Sequence, residues 1–252
     1  MTSHKPRKRF SQNFLVDDQI VNRIIATISP KKSDNIVEIG PGMGALTFPL
    51  LKHLDHLNVI EIDRDLISLL KLDKQDKLTI YEADALKFDY GEISNNLRII
   101  GNLPYNISSP LLFHLLSSKN QIIDMTFMLQ KEVADRIIAN HGSKTYGRLS
   151  VMMQTFFEVE SMFTVPKESF NPKPKIESSI IYLKTRAKPL TENTKLLEKI
   201  VKVSFSQRRK TLKNCLKSIL SQEQTEIDLS QRAEMLSIEN FITLMKDYEK
   251  QN

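Results

Sequence analysis

From residue 35 onward, short runs of β-branched and apolar residues alternate with stretches whose apolar positions recur at helical spacing. Runs at residues 36–39, 58–63, 78–81, 97–101 and 125–129 predict strands. Residues 66–72 and 111–116 predict helical faces, the second opened by the cap and first-turn signal Ser108-Ser109-Pro110. This alternation implies an α/β fold, a Rossmann-like, mainly parallel sheet with helices on both faces. Residues 154–159 and 179–183 read as further strands, separated by the proline-rich Asn171-Pro172-Lys173-Pro174-Lys175. After residue 183 the strand pattern stops, and residues 196–219 and 241–248 have helical spacing. Two domains are therefore expected, 1–185 and a small all-helical 186–252, with the boundary near Arg186-Ala187-Lys188-Pro189. No repeat of fixed period is evident.

Composition narrows the class. With 40% hydrophobic and 26% charged residues among 252, the chain can bury a core, which excludes disordered and fibrous classes. Its 36 Lys and Arg exceed its 30 Asp and Glu, a formal charge of +6. Cys215 is the single cysteine, so no internal disulfide or thiolate zinc site can form, which fits a reducing, cytoplasmic location. The five histidines lack metal-ligand spacing, and no metal is expected. No apolar run is long enough for a membrane span, and the basic start is followed by Asp17-Asp18 rather than a signal-peptide core. A monomer is expected.

The first predicted strand runs into Gly40-Pro41-Gly42-Met43-Gly44, where glycine permits a tight turn and lets a ligand approach bare backbone. Glu61, at the end of the second strand, can accept both hydroxyls of a ribose, and Asp84, after the third, can receive an adenine amino group. The turn is G-x-G-x-G with Glu38 two residues before it, whereas the dinucleotide fingerprint is G-x-G-x-x-G; the spacing here resembles the turn of S-adenosylmethionine (SAM) methyltransferases.

Asn102-Leu103-Pro104-Tyr105 follows the fourth predicted strand, at the carboxyl edge where such sheets bind ligands. It offers a side-chain amide oxygen, a carbonyl before proline and an aromatic face. Those groups can hold a flat, conjugated amine and favour a pyramidal nitrogen aimed at a methyl donor. An ordinary Asn-Pro loop is the bland alternative.

Five segments together resemble one family: Gln12-Asn13-Phe14-Leu15, the stretch from Val37 to Gly42, the stretch from Asn102 to Pro110, Phe170 to Lys175, and Phe205 to Leu212. In order along nearly the whole chain, they are similar to the small-subunit ribosomal RNA adenine N6,N6-dimethyltransferases of the KsgA type. The resemblance implies a reaction of four methyl transfers, two to each of two adjacent adenosines in the 3′-terminal hairpin of 16S rRNA, on an assembling small ribosomal subunit. It implies that Asn13 and Leu15 touch the cofactor's methionine end and that Gly40, with Gly42 and Gly44, cradles it. Asn102 then serves both cofactor and target, and Phe170 stacks on the adenine opposite Tyr105. Ser11 departs from the family, many members of which carry Gly before the Gln-Asn-Phe-Leu segment. Macrolide-resistance methyltransferases of large-subunit rRNA share most of these motifs and stand as an alternative.

Seven Lys and Arg residues between Lys199 and Lys217, with no acid among them, form a one-sign run of the kind that meets phosphates. Arg208, Arg209 and Lys210 lie in its family motif, and Lys5, Arg7 and Lys8 add an N-terminal cluster; all six are candidate RNA contacts. A solvated charged face is the competing reading, most of all for the N-terminal cluster. A DNA adenine methyltransferase and a non-catalytic assembly factor are the other classes to be weighed.

Overall fold

The computed structural model describes residues 13–72 and 76–251. Its strands are β1 (Phe14–Leu15), β2 (Asn35–Ile39), β3 (Leu57–Glu61), β4 (Leu78–Glu82), β5 (Leu97–Asn102), β6 (Ile122–Gln130), β7 (Phe157–Val165), β8 (Phe170–Asn171) and β9 (Ser178–Thr185). Seven of them form one sheet in the order β4-β3-β2-β5-β6-β9-β7, and β1 pairs with β8 separately. The pairs from β4 to β6 are parallel, while β9 runs antiparallel to β6. β2, β3, β5 and β6 are buried along almost their full length, as strands covered on both faces must be, which is why they read as unbroken apolar runs.

The helices are α1 (Asp18–Ile28), α2 (Thr47–Leu51), α3 (Arg64–Leu72), α4 (Ser108–Ser117), α5 (Lys131–Ile138), α6 (Arg148–Phe156), α7 (Thr194–Ser204), α8 (Leu212–Leu216) and α9 (Ile238–Glu249). The chain divides into two compact units, the first comprising residues 1–134 and 160–185, the second 135–159 and 186–252. The second unit thus takes in residues 135–159 besides the 186–252 expected from sequence. The reason is aromatic packing over long separation, since Tyr146 meets Phe205 edge-on and Phe205 meets Phe241.

Within the first unit, α1, α2 and the sheet bury one apolar cluster that includes Ile24, Ile28, Ile36, Leu50 and Val59. Arg98 fastens the amino edge of the sheet: its Nε meets Asp124 at 3.0 Å, Nη1 meets Asp34 at 2.7 Å, and Nη2 donates to the Ile28 carbonyl at 2.7 Å. Being mostly buried, this guanidinium is satisfied by three partners rather than by water.

Two expectations are corrected. Residues 154–156 belong to α6, not to a strand; β7 begins only at Phe157. Their stretch is buried nearly all round, so no periodicity marks it as helical. The helical spacing over 196–219 is interrupted between α7 and α8. Beyond the break, the amides of Leu212 and Lys213, the first residues of α8, donate to the carbonyls of Gln231 and Leu229 instead of to a preceding turn.

Candidate functional site

The glycine turn after β2 is built from left-handed backbone, with φ of +66° at Gly40, +59° at Gly42 and +85° at Gly44. A Cβ on Gly40 would meet no atom within 4 Å, so the turn presents bare main chain to open space. That space is a cavity of about 320 Å³ at the carboxyl ends of β2, β3, β4 and β5. Gly42 is roofed by the Phe14 ring, 3.3 Å from where a Cβ would stand. Gly44 lies off the cavity wall; a Cβ there would fall 2.2 Å from Phe48, so its part is to let the turn form.

Among the sequence-predicted cofactor residues, Asn13, Leu15, Gly40, Gly42, Glu61, Asp84 and Asn102 all line this cavity. Glu61 closes β3, and its Oε1 accepts the Ile62 and Asp63 amides at 2.9 Å each. Burial raises the Glu61 pKa above the usual carboxylate value, opposed by the backbone bonds from Asp63, Ile62 and Gly42. The carboxylate is thereby aimed by the main chain of both its own turn and the glycine turn. Asp84 sits two residues past β4, its Oδ1 accepting the Leu86 amide at 3.0 Å.

Glu38 was visible in the sequence only as the acid before the glycines. It also lines the cavity, 2% exposed, and accepts the Thr47 hydroxyl at 2.6 Å. Burial, outweighing the Thr47 bond and reinforced by the charge of Glu61, pushes its pKa up to about 7. Its central position in the sheet causes that burial, and no local pattern announces it.

Asn102 closes β5, and its Nδ2 donates to the Asn13 carbonyl at 3.2 Å, which turns Oδ1 into the remaining acceptor of that amide. Leu103 is buried and its N–H donates to the Met128 carbonyl, so the Asn102–Leu103 peptide is anchored to β6. Pro104 and Tyr105 line the same cavity, and the Tyr105 hydroxyl lies 3.3 Å from Ser178 Oγ. Phe170 is not on the cavity wall: it is 4% exposed, pairs in register with Leu15, and packs into the apolar cluster.

A SAM-sized ligand fits what is present: a bare glycine turn, a ribose-ready carboxylate and a second acid, on three successive strand ends. None of the cavity-lining residues is Lys, Arg or His, and the described residues hold no cluster suited to a metal.

In the second unit, Arg209, Lys210, Lys213 and Lys217 are exposed. Arg208 is committed inside the unit: its guanidinium donates to the Lys144 carbonyl and stands 3.5 Å from the Glu234 carboxylate. Lys199 is engaged with Tyr248, its Nζ 4.4 Å from the ring centre. Lys5, Arg7 and Lys8 lie outside the described residues.

Comparison with known proteins bears on this geometry. A family model described as ribosomal RNA adenine dimethylase matches residues 3–250. The chain is 48% identical over 253 residues to the ribosomal RNA small subunit methyltransferase A of Nitrosospira multiformis, covering 98% of each chain. Among solved structures it is similar to a dimethyladenosine transferase from Plasmodium falciparum, with TM-score 0.81 and 28% identity over 94% of this chain and 98% of that one. It is also similar to the 23S rRNA methyltransferase ErmE, with TM-score 0.73 and 26% identity over 94% of this chain and the whole of that one. The chain belongs to the ribosomal RNA adenine dimethylase family.

Proposed function

We propose that this protein dimethylates N6 of two adjacent adenosines in the 3′-terminal hairpin of 16S rRNA, in the cytoplasm, on an assembling small ribosomal subunit. The observation that carries the reading is the convergence of Asn102-Leu103-Pro104-Tyr105 with Glu61 and Asp84 on one cavity. SAM, when bound, supplies an electrophilic methyl group on a sulfonium. Glu61 holds the ribose hydroxyls, Asp84 the adenine amine of the cofactor, and Asn13 and Leu15 flank its methionine end.

An adenine amine is a poor nucleophile because its lone pair is conjugated with the ring. Asn102 Oδ1 and the Leu103 carbonyl accept its two hydrogens and favour the pyramidal form, while Tyr105 stacks on the base. The Nδ2 bond to Asn13 fixes which way the Asn102 amide faces. No general base has to act first, since the amine proton becomes acidic only as the nitrogen is alkylated. Arg209 and Lys210 meet rRNA phosphates.

Incubation with tritiated SAM and undermethylated small subunits, followed by nucleoside identification, tests the proposal. Label in N6,N6-dimethyladenosine of 16S rRNA is expected. Label in 23S rRNA, or at N1 or C2 of adenine, overturns it.

A further inference from the structure

Three carboxyl groups line the cavity, those of Glu38, Glu61 and Asp84. Glu61 and Asp84 have tasks on SAM in the proposed function; Glu38 has none. It is the unused one, yet it is 2% exposed and accepts only a neutral hydroxyl, that of Thr47 at the start of α2. The charge that acts on it is the like charge of Glu61 on β3, and Asp84 is the third acid of the wall. From β5 the wall offers the neutral amide of Asn102, and from the segment before α1 the uncharged Asn13, Phe14 and Leu15. Arg98, the cation on β5, is held at the amino edge of the sheet by Asp34 and Asp124. A carboxyl enclosed without a cation keeps its proton, because the charged form loses its hydration and gains no counter-charge. Its pKa, raised by burial to about 7, agrees.

The order of the strands says which part of SAM would meet this group. At this end of the sheet they run β4-β3-β2-β5. In the proposed binding mode the adenine of SAM is at Asp84 beyond β4, the ribose is at Glu61 closing β3, and the amine that receives the methyl is at Asn102 closing β5. The sulfonium joins that ribose to that methyl, so it belongs over β2, the strand between them. Glu38 is the last residue but one of β2 and lines the cavity there.

Resting on the function proposed above, we infer that Glu38 is a charge-specificity residue of the donor site: its carboxyl is neutral before SAM binds, releases its proton as the sulfonium enters, and so favours SAM over the demethylated product, S-adenosylhomocysteine, whose sulfur is uncharged. One carboxyl O–H bond breaks, the proton passes to solvent, and the carboxylate is left facing the sulfonium; nothing is oxidised or reduced. The Thr47 hydroxyl can donate to Glu38 Oε2 in either state, so the release requires no new partner from the chain. Once the methyl has left, the counter-charge is lost and the carboxyl takes its proton back, which loosens the product.

Calorimetric titration of the full-length protein with SAM and with S-adenosylhomocysteine, repeated in buffers of low and high ionisation enthalpy, counts the protons released on binding. At about pH 6 the wild type should release at least about half a proton per SAM bound, and clearly less per S-adenosylhomocysteine. Glu38→Gln keeps an acceptor for Thr47 and has no proton to give. Glu61, whose pKa burial also raises, is present in both proteins, so wild type minus variant isolates Glu38. The variant should abolish the excess release with SAM and reduce the preference for SAM over S-adenosylhomocysteine, as a ratio of Kd values, at least about fivefold. Wild type alone can overturn the inference, by releasing no proton at about pH 6 or by releasing equally to both ligands. A variant that keeps the wild-type release or the wild-type preference overturns it too. Failure of SAM to bind the wild type would overturn the proposed function and this inference with it, whereas binding without proton release removes only the part given to Glu38.

Discussion

Replacing Glu38 by Gln isolates the electrostatic consequence of placing a carboxyl in the middle of the sheet. The folded carboxyl titrates at about 7 against an ordinary value of 4.5, because burial penalises its charged form. Between those values the folded state holds a proton that the unfolded state has released, so stability falls as pH rises through this window. The contribution is greatest below the unfolded pKa and is gone above about pH 7. With one pKa unit equal to about 1.36 kcal/mol, wild type should lose roughly 2–3 kcal/mol to this group between about pH 5 and pH 8. Gln keeps an oxygen for the Thr47 hydroxyl, 2.6 Å from the carboxylate, and has nothing to titrate. Urea unfolding of both proteins across this range, monitored on the transition of the first unit, subtracts every other group. The variant should gain on wild type by roughly 2–3 kcal/mol on going from about pH 5 to pH 8. Parallel curves would show that the Glu38 carboxyl is solvated, and its proposed burial would be wrong.

Glu61→Ala should weaken SAM binding by about 1.5–3 kcal/mol in calorimetric titration, roughly ten- to a hundredfold, and an unchanged Kd in a folded variant removes Glu61 from the site. Phe170→Leu keeps an apolar side chain in the cluster, so kcat/KM for rRNA and the Kd for SAM should both stay near wild type. A roughly tenfold fall in kcat/KM for rRNA would put the ring against the base instead. Arg209→Glu with Lys210→Glu should flatten the salt dependence of small-subunit binding, and an unchanged slope would assign these cations to solvent.

β2, β3 and β5 were legible because each is short, apolar and buried on both faces, and the edge strand β4, which is only partly buried, because its central residues are β-branched and aromatic. Glu61 and Asn102 stand at the last residues of β3 and β5, where a run of buried positions gives way to the cavity. What stayed hidden depends on residues far apart in sequence. The engagement of Arg208 with Lys144 and Glu234 is invisible in a stretch that reads as uniformly basic. The same holds for Phe170: its motif marks it as aromatic and near prolines, but only its pairing with Leu15 shows that it is buried. Gly44 was recognisable as part of the turn, whereas its nearness to Phe48, which separates a conformational part from a ligand contact, required the folded turn.

The division of labour within the cavity follows from charge. Glu38, Glu61 and Asp84 line it, and none of its wall residues is basic. A cationic donor is favoured there in the ground state. Methyl transfer, however, moves positive charge from donor to the adenine nitrogen within the same enclosure, so an acidic wall attracts both ends of the process. Groups that stabilise ground and transition states alike improve binding without speeding the chemical step. The rate must come from acceptors that grip the amine more strongly as its nitrogen pyramidalises and its hydrogens become acidic. Only the amide oxygen of Asn102 and the carbonyl of Leu103 are proposed to do that, and both are held by neighbouring backbone, through the Asn13 carbonyl and the Met128 carbonyl. Donors and acceptors set in advance need no reorganisation at the moment of transfer. In the proposed mechanism the carboxylates therefore account for affinity, and the segment from the end of β5 for catalysis.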